Sequence, residues 1–157
     1  MGVAKELADL LIVMVKHEET IGELYGLFAR KFPEHERLWS DLSRQEMEHA
    51  DWIRRLYAKT EDGSVSVCKE RFDIGEAQTS LNYVRVLMAN ARQPISLSRA
   101  FSMAMEIENS LLEKKFYEVF EGDSEELKRA FELLVLEIQQ HIAKIQKAQA
   151  ALRKKNA

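Results

Sequence analysis

Three carboxylates and two histidines stand in this chain where helical spacing calls for apolar residues: Glu18, Glu46, Glu108, His49 and His141. Glu18 interrupts the stripe Leu7, Leu11, Met14, Ile21, Tyr25, Phe28, and Glu46 and His49 interrupt Leu38, Leu42, Ile53, Leu56. Glu108 falls within Phe101, Met105, Leu112, Phe116, Val119, and His141 within Leu127, Phe131, Leu134, Ile138, Ile145, Ala148. Steps of three and four residues put each set on one helix face. A buried, unpaired ion costs several kcal/mol, comparable with the stability margin of a small domain. These groups therefore need a neutralising partner, and a divalent metal would serve.

Glu46-Met47-Glu48-His49 supplies Glu-x-x-His, whose outer residues lie one turn apart and project together. A carboxylate and an imidazole on one face can chelate a divalent ion, and iron accepts both. Such a motif also recurs by chance on solvated, Glu-rich faces. Here Glu46 and His49 continue the stripe of Leu42 and Ile53, whereas Glu48 points outward. Glu108 is preferred over its neighbour Glu106 on its spacing from Phe101, Met105 and Leu112. A lone core histidine is more often hydrogen-bonded structure than ligand. Four other ligand-type residues on three other helices turn His141 toward metal binding. Tyr25, two turns beyond Glu18, is either a core aromatic with a satisfied hydroxyl or a hydrogen-bond donor to a ligand or bound oxygen species. His17 and Glu19 flank the stripe and face a neighbouring helix edge or water.

Four long helices and one shorter one must position these groups. The first is predicted from about Val3 to Arg30, ending before Phe32-Pro33, where proline restricts the preceding residue and suits the first turn of the next helix. The second runs to about Lys59, and Glu61-Asp62-Gly63-Ser64 reads as a loop. From Val65 to Ile74 the pattern is irregular, with Asp73 and Gly75 as breakers. A shorter helix from about Glu76 to Arg92 offers Leu81, Val84, Val86 and Leu87 as apolar contacts, and Pro94 ends it. Ser96 or Ser98 can cap a third long helix to about Phe120. Asp123 or Ser124, followed by Glu125 and Glu126, opens the last, which reaches about Lys154. Short, long, short connections describe an all-α four-helix bundle with one crossover of roughly 35 residues carrying its own helix. Residues 1–157 form one domain on this reading, with only a faint internal echo: each hairpin bears a ligand-type residue on both stripes.

Composition narrows the classes. Two prolines and six glycines are few for 157 residues. A formal net charge of −3, made of interspersed acids and bases, advertises no nucleic-acid surface. Arg153, Lys154 and Lys155 suit the end of a helix, where cations are favoured. Cys68 is the only cysteine, which excludes an intrachain disulfide, a four-cysteine zinc or iron site, and an iron–sulfur cluster. The apolar run Leu10 to Val15 is too short to span a bilayer and lacks a signal-peptide cleavage pattern. A soluble cytoplasmic protein, with no membrane or nucleic-acid partner, is expected. Zinc hydrolysis finds less support, since the His-Glu-x-x-His spacing is absent, and no serine or cysteine stands in a strained turn near a histidine.

The chain resembles the ferritin-like, rubrerythrin-like four-helix carboxylate di-iron proteins. The resemblance spans most of its length: the Phe32-Pro33 hairpin, Gln45-Glu46-Met47-Glu48-His49-Ala50 between Trp39 and Trp52, and Ala104-Met105-Glu106-Ile107-Glu108 after the crossover. It implies single carboxylates at Glu18 and Glu108, a first Glu-x-x-His at Glu46 and His49, and His141 as half of a second. Two departures stand out. Ile138 occupies the position three before His141 where the family places a bridging Glu; Glu137, about 100° away around the helix, could reach inward instead. Lys115 stands seven after Glu108, where relatives often have an aromatic, with Phe116 and Tyr117 shifted. Three outcomes are open: two metals held asymmetrically, one metal, or a vestigial site.

By resemblance, the expected cofactor is iron, two or one per chain, with another divalent metal as an alternative. Its expected chemistry is peroxide or dioxygen reduction, or iron oxidation and handling, with Tyr25 behind the ligands. Rubrerythrins often carry an iron–cysteine electron-transfer module, for which this chain has no cysteines, so turnover would need an external electron donor. The competing expectation is a ferritin-like bundle that has lost its metal chemistry and acts as a binding or structural protein. A homodimer is expected from the resemblance and from apolar residues on helix flanks, such as Leu10, Val13 and Trp52.

Overall fold

The computed structural model describes residues 2–60, 63, 65–68, 70, 73–110, 115–116, 118–122 and 124–156. Helix α1 spans Gly2–Lys31, a 3-10 turn covers Pro33–His35, and α2 spans Glu36–Thr60. Phe32, ahead of the proline, leaves helical geometry at φ −124° and ψ 73°, and so ends α1. The turn folds α2 back along α1. Gly22 on α1 lets the two approach closely: a Cβ there would meet Met47 Cε at 2.9 Å, and the Ser43 hydroxyl donates to the Gly22 carbonyl at 2.6 Å.

The crossover carries α3, Ile74–Ala91, which packs on α1. Asp73 is not a breaker but the cap of this helix, accepting from the Gly75 amide at 3.0 Å, so Gly75 lies inside the first turn. Leu81, Val84 and Leu87 are buried as expected, while Val86 faces solvent. Ser96, not Ser98, caps α4, Leu97–Asn109, accepting from the Arg99 amide at 3.0 Å. Helix α5 spans Glu125–Asn156, with Ser124 accepting from the Leu127 amide at 3.4 Å; Asp123, the other expected cap, lies outside the described residues. Helix α5 packs on α4 and α2. The described fold is all-α apart from one two-stranded ladder, and none of its helices is long and apolar enough to cross a membrane.

That ladder corrects the third long helix. Instead of continuing to Phe120, α4 is capped at Ser110, whose hydroxyl donates to the Ile107 carbonyl at 2.8 Å. Further along, Phe120–Glu121 (β2) pair antiparallel with Ser66–Val67 (β1), and the Cys68 amide donates to the Val119 carbonyl at 2.7 Å. Val119 and Phe120 suit an extended strand, and Gly122 turns the chain at φ 144°, a backbone angle that L side chains rarely adopt.

The core divides along the bundle. One apolar cluster gathers Leu11, Met14, Ile53, Leu56, Phe116, Leu134 and Ile138. The other gathers Ile21, Tyr25, Phe28, Trp39, Leu42, Phe101 and Ile145. In the second, the Trp39 ring lies 4.9 Å from Phe28, 5.5 Å from Phe101 and 5.8 Å from Tyr25. Glu18, Glu46, His49, Glu108 and His141 fall in sequence between the two clusters on their helices. Leu7 and Leu112 lie outside the described side chains. Leu10 is buried, and Val13 and Trp52 are partly buried against the first cluster.

Candidate metal centre

All five residues that break the apolar stripes converge. Glu18, Glu46, His49 and His141 are fully buried, and Glu108 is 4% exposed. Their donor atoms form two overlapping triads, Glu18–Glu46–His49 and Glu46–Glu108–His141, each within 4.8 Å. Glu46 belongs to both. Its Oε2 lies 3.3 Å from His49 Nδ1, and its Oε1 lies 4.0 Å from His141 Nδ1. Glu108 Oε1 is 3.4 Å from His141 Nδ1. Donors bound to one ion at about 2.1 Å stand roughly 3.0–3.4 Å apart at tetrahedral or octahedral angles. The two histidine–carboxylate separations of 3.3 and 3.4 Å match that spacing. Carboxylate and imidazole donors suit divalent iron, manganese or zinc. The buried groups could hold a metal ion, and their chemistry fits one.

Position on the helices explains the convergence. Glu18 sits one turn beyond Met14 on α1, and Glu46 and His49 lie one turn apart on α2. Glu108 ends the inward face of α4. Glu106, the competing phase, is exposed and accepts a hydrogen bond from the Tyr83 hydroxyl on α3. That bond, with smaller help from burial and from the Glu106 charge, holds the Tyr83 phenol above its ordinary pKa.

Around this set lies a shell of supporting contacts. Tyr25 donates to Glu108 Oε1 at 2.9 Å, satisfying its own hydroxyl and orienting a ligand-type carboxylate at once. Tyr25→Phe is expected to lower the stability of the metal-free protein by about 1–3 kcal/mol, the cost of leaving a buried hydrogen-bonding group without its partner, read as a drop in the urea midpoint with an unchanged slope. Glu137 does not join either triad. Its Oε2 lies 2.6 Å from His49 Nε2, on the far side of the ring from Glu46. Ile138, at the expected bridging position, is buried in the first apolar cluster.

The supporting role of Gln45 escaped the sequence reading. Gln45 Oε1 lies 2.6 Å from His141 Nε2, mirroring the Glu137–His49 contact. The signal was present: Gln45 is four before His49, as Glu137 is four before His141. His17 is buried rather than solvated, with Nε2 2.9 Å from Ser80 Oγ on α3 and Nδ1 3.7 Å from Glu18 Oε2. A helix edge was one of its two expected settings, and α3 supplies that edge. Glu19 pairs with Arg54 at 3.2 Å.

The fold and the site together define a class: an all-α protein with buried carboxylate–histidine groups that could hold a metal ion. Comparison of the chain with protein-family models, with curated proteins and with solved structures found no match.

Proposed function

We propose that this is a rubrerythrin-like, ferritin-like iron protein that holds two ions side by side and serves peroxide or dioxygen reduction, or iron oxidation. One observation carries the proposal: the two oxygens of a fully buried Glu46 lie near two different histidines, Oε2 3.3 Å from His49 Nδ1 and Oε1 4.0 Å from His141 Nδ1. A carboxylate so placed has little purpose in a plain core and suits a bridge. Glu18 and His49 would complete one position, and Glu108 and His141 the other. Two ferrous ions bound there would supply the two electrons, and solvent the two protons, that reduce one hydrogen peroxide to two waters. The chain's part is to bind, to orient Glu108 through Tyr25, and to keep bulk water out with the apolar clusters on either side. With Cys68 as the only cysteine, electrons for repeated turnover would come from an external donor.

A second reading is favoured by Ile138: a bundle with a single-metal or degenerate site in a binding or structural role. Its apolar side chain removes one bridging carboxylate. Anaerobic ferrous loading, desalting and metal counting separate the two. Near two irons per chain, lost when His49 and His141 are both changed to Ala, supports the first. About one supports the second, and none removes the metal reading. Mixing the loaded protein with peroxide then tests the chemistry: peroxide consumption no faster than with free ferrous ion would leave a metal-binding bundle without the redox role.

A further inference from the structure

We propose that the two metal positions fill in order, Glu18–Glu46–His49 before Glu46–Glu108–His141, and that Glu137 and Gln45 set this order as positioning residues. The inference rests on the two-position reading above and adds which position is stronger, and why.

Each histidine turns Nδ1 toward the carboxylate layer and Nε2 toward a side chain on the helix that carries the other histidine. With Nδ1 committed to a metal, Nε2 must hold the ring proton and donate it outward. Both outward partners accept: Glu137 Oε2 from His49 and Gln45 Oε1 from His141, each at 2.6 Å. The two contacts match in length and in helical position, and differ in charge. A carboxylate behind an imidazole pushes electron density toward the metal more strongly than an amide does, and adds a negative charge of its own.

The unshared carboxylate of each position also has a neighbour of its own, and Glu18 Oε2 lies 3.7 Å from His17 Nδ1. Glu108, the unshared carboxylate of the His141 position, gives part of its Oε1 electron density to the Tyr25 hydroxyl at 2.9 Å. Glu46 is common to both positions and lies nearer the first histidine, 3.3 Å from His49 Nδ1 against 4.0 Å from His141 Nδ1. The His49 position therefore gathers Glu18, Glu46 and the Glu137 charge behind its histidine. The His141 position gathers Glu46 and a hydrogen-bonded Glu108, with a neutral amide behind. Outer partners of metal-bound histidines typically change affinity by about 10- to 100-fold, so the two steps should be separated by at least about tenfold.

Zinc is a suitable probe because it is diamagnetic and accepts this ligand set. In protein labelled with nitrogen-15 at histidine, with signals assigned through single His→Gln variants, the first equivalent of zinc is expected to move the His49 ring resonances and the second those of His141. The double variant Gln45→Glu, Glu137→Gln keeps the net charge and nearly all the atoms, and should reverse the order. If the double variant does not fold, Glu137→Gln alone should weaken the first calorimetric step by about tenfold or more and leave the second unchanged. Simultaneous movement of both histidines in the wild type would overturn the ordering, as would an order that survives the exchange of caps or a Glu137→Gln titration identical to wild type. Those results would leave the two-ion reading standing. Absence of any zinc binding to the wild type would remove both.

Discussion

Glu46→Leu should empty both metal positions at once, whereas Glu18→Gln and Glu108→Gln should each cost one. The difference follows from sharing: Glu46 is the only residue common to the two triads among the described residues. Leucine has nearly the volume of glutamate and keeps the helix, so loss of binding would not reflect collapse of α2. The readout is metal-dependent stability. A ligand at a hundredfold excess over its Kd stabilises the folded state by about 2.7 kcal/mol per site. Two sites in a chain of this size raise the melting temperature by roughly 10 to 20 °C. That increment should vanish in Glu46→Leu and be about halved in the other two. A Glu46→Leu protein that still takes up one ion with a clear thermal shift would show that the positions do not share this carboxylate.

Ile138→Glu should have effects of opposite sign with and without metal. Without metal, the change removes an aliphatic side chain from the first apolar cluster and brings a fourth carboxylate beside Glu18, Glu46 and Glu108. Burying one more ion costs several kcal/mol, so a destabilisation of about 3–5 kcal/mol is expected in the metal-free urea transition. With metal, the introduced carboxylate would supply a second bridge, and the overall affinity should rise by at least about tenfold, or 1.4 kcal/mol. Both halves are informative. A neutral effect on the metal-free protein would contradict the packing of Ile138. Unchanged affinity would mean that this position does not look onto the two ions.

Much of this site is legible in the sequence because ligand residues violate the rule that otherwise fixes helix faces. Glu18, Glu46, His49, Glu108 and His141 occupy stripe positions, and each is buried in the structure. The supporting residues are less visible because they obey the rule for surfaces. Gln45 and Glu137 sit beside the stripe, where polar residues are ordinary, and only their common offset from a histidine marks them. The partner of His17 is hidden for another reason: Ser80 lies on the crossover helix, and contacts across so long a connection leave no periodic trace. The predicted continuation of α4 to Phe120 fails for a third. Helix and strand propensities compete over 115–120, and pairing with Ser66–Val67, far away in sequence, decides for strand at the end of that segment.

The paired histidine caps also act as a mechanical lock. Gln45 meets His141 while His49, one turn on, meets Glu137, one turn back, so α2 and α5 run antiparallel with a fixed stagger. Sliding either helix by one residue, about 1.5 Å along and 100° around, breaks both contacts together. Two helices far apart in sequence are thereby held in one register by polar pairs rather than by interchangeable leucines. Folding to that register and assembling the metal-binding layer become the same event, so an arriving ion meets donors already aligned.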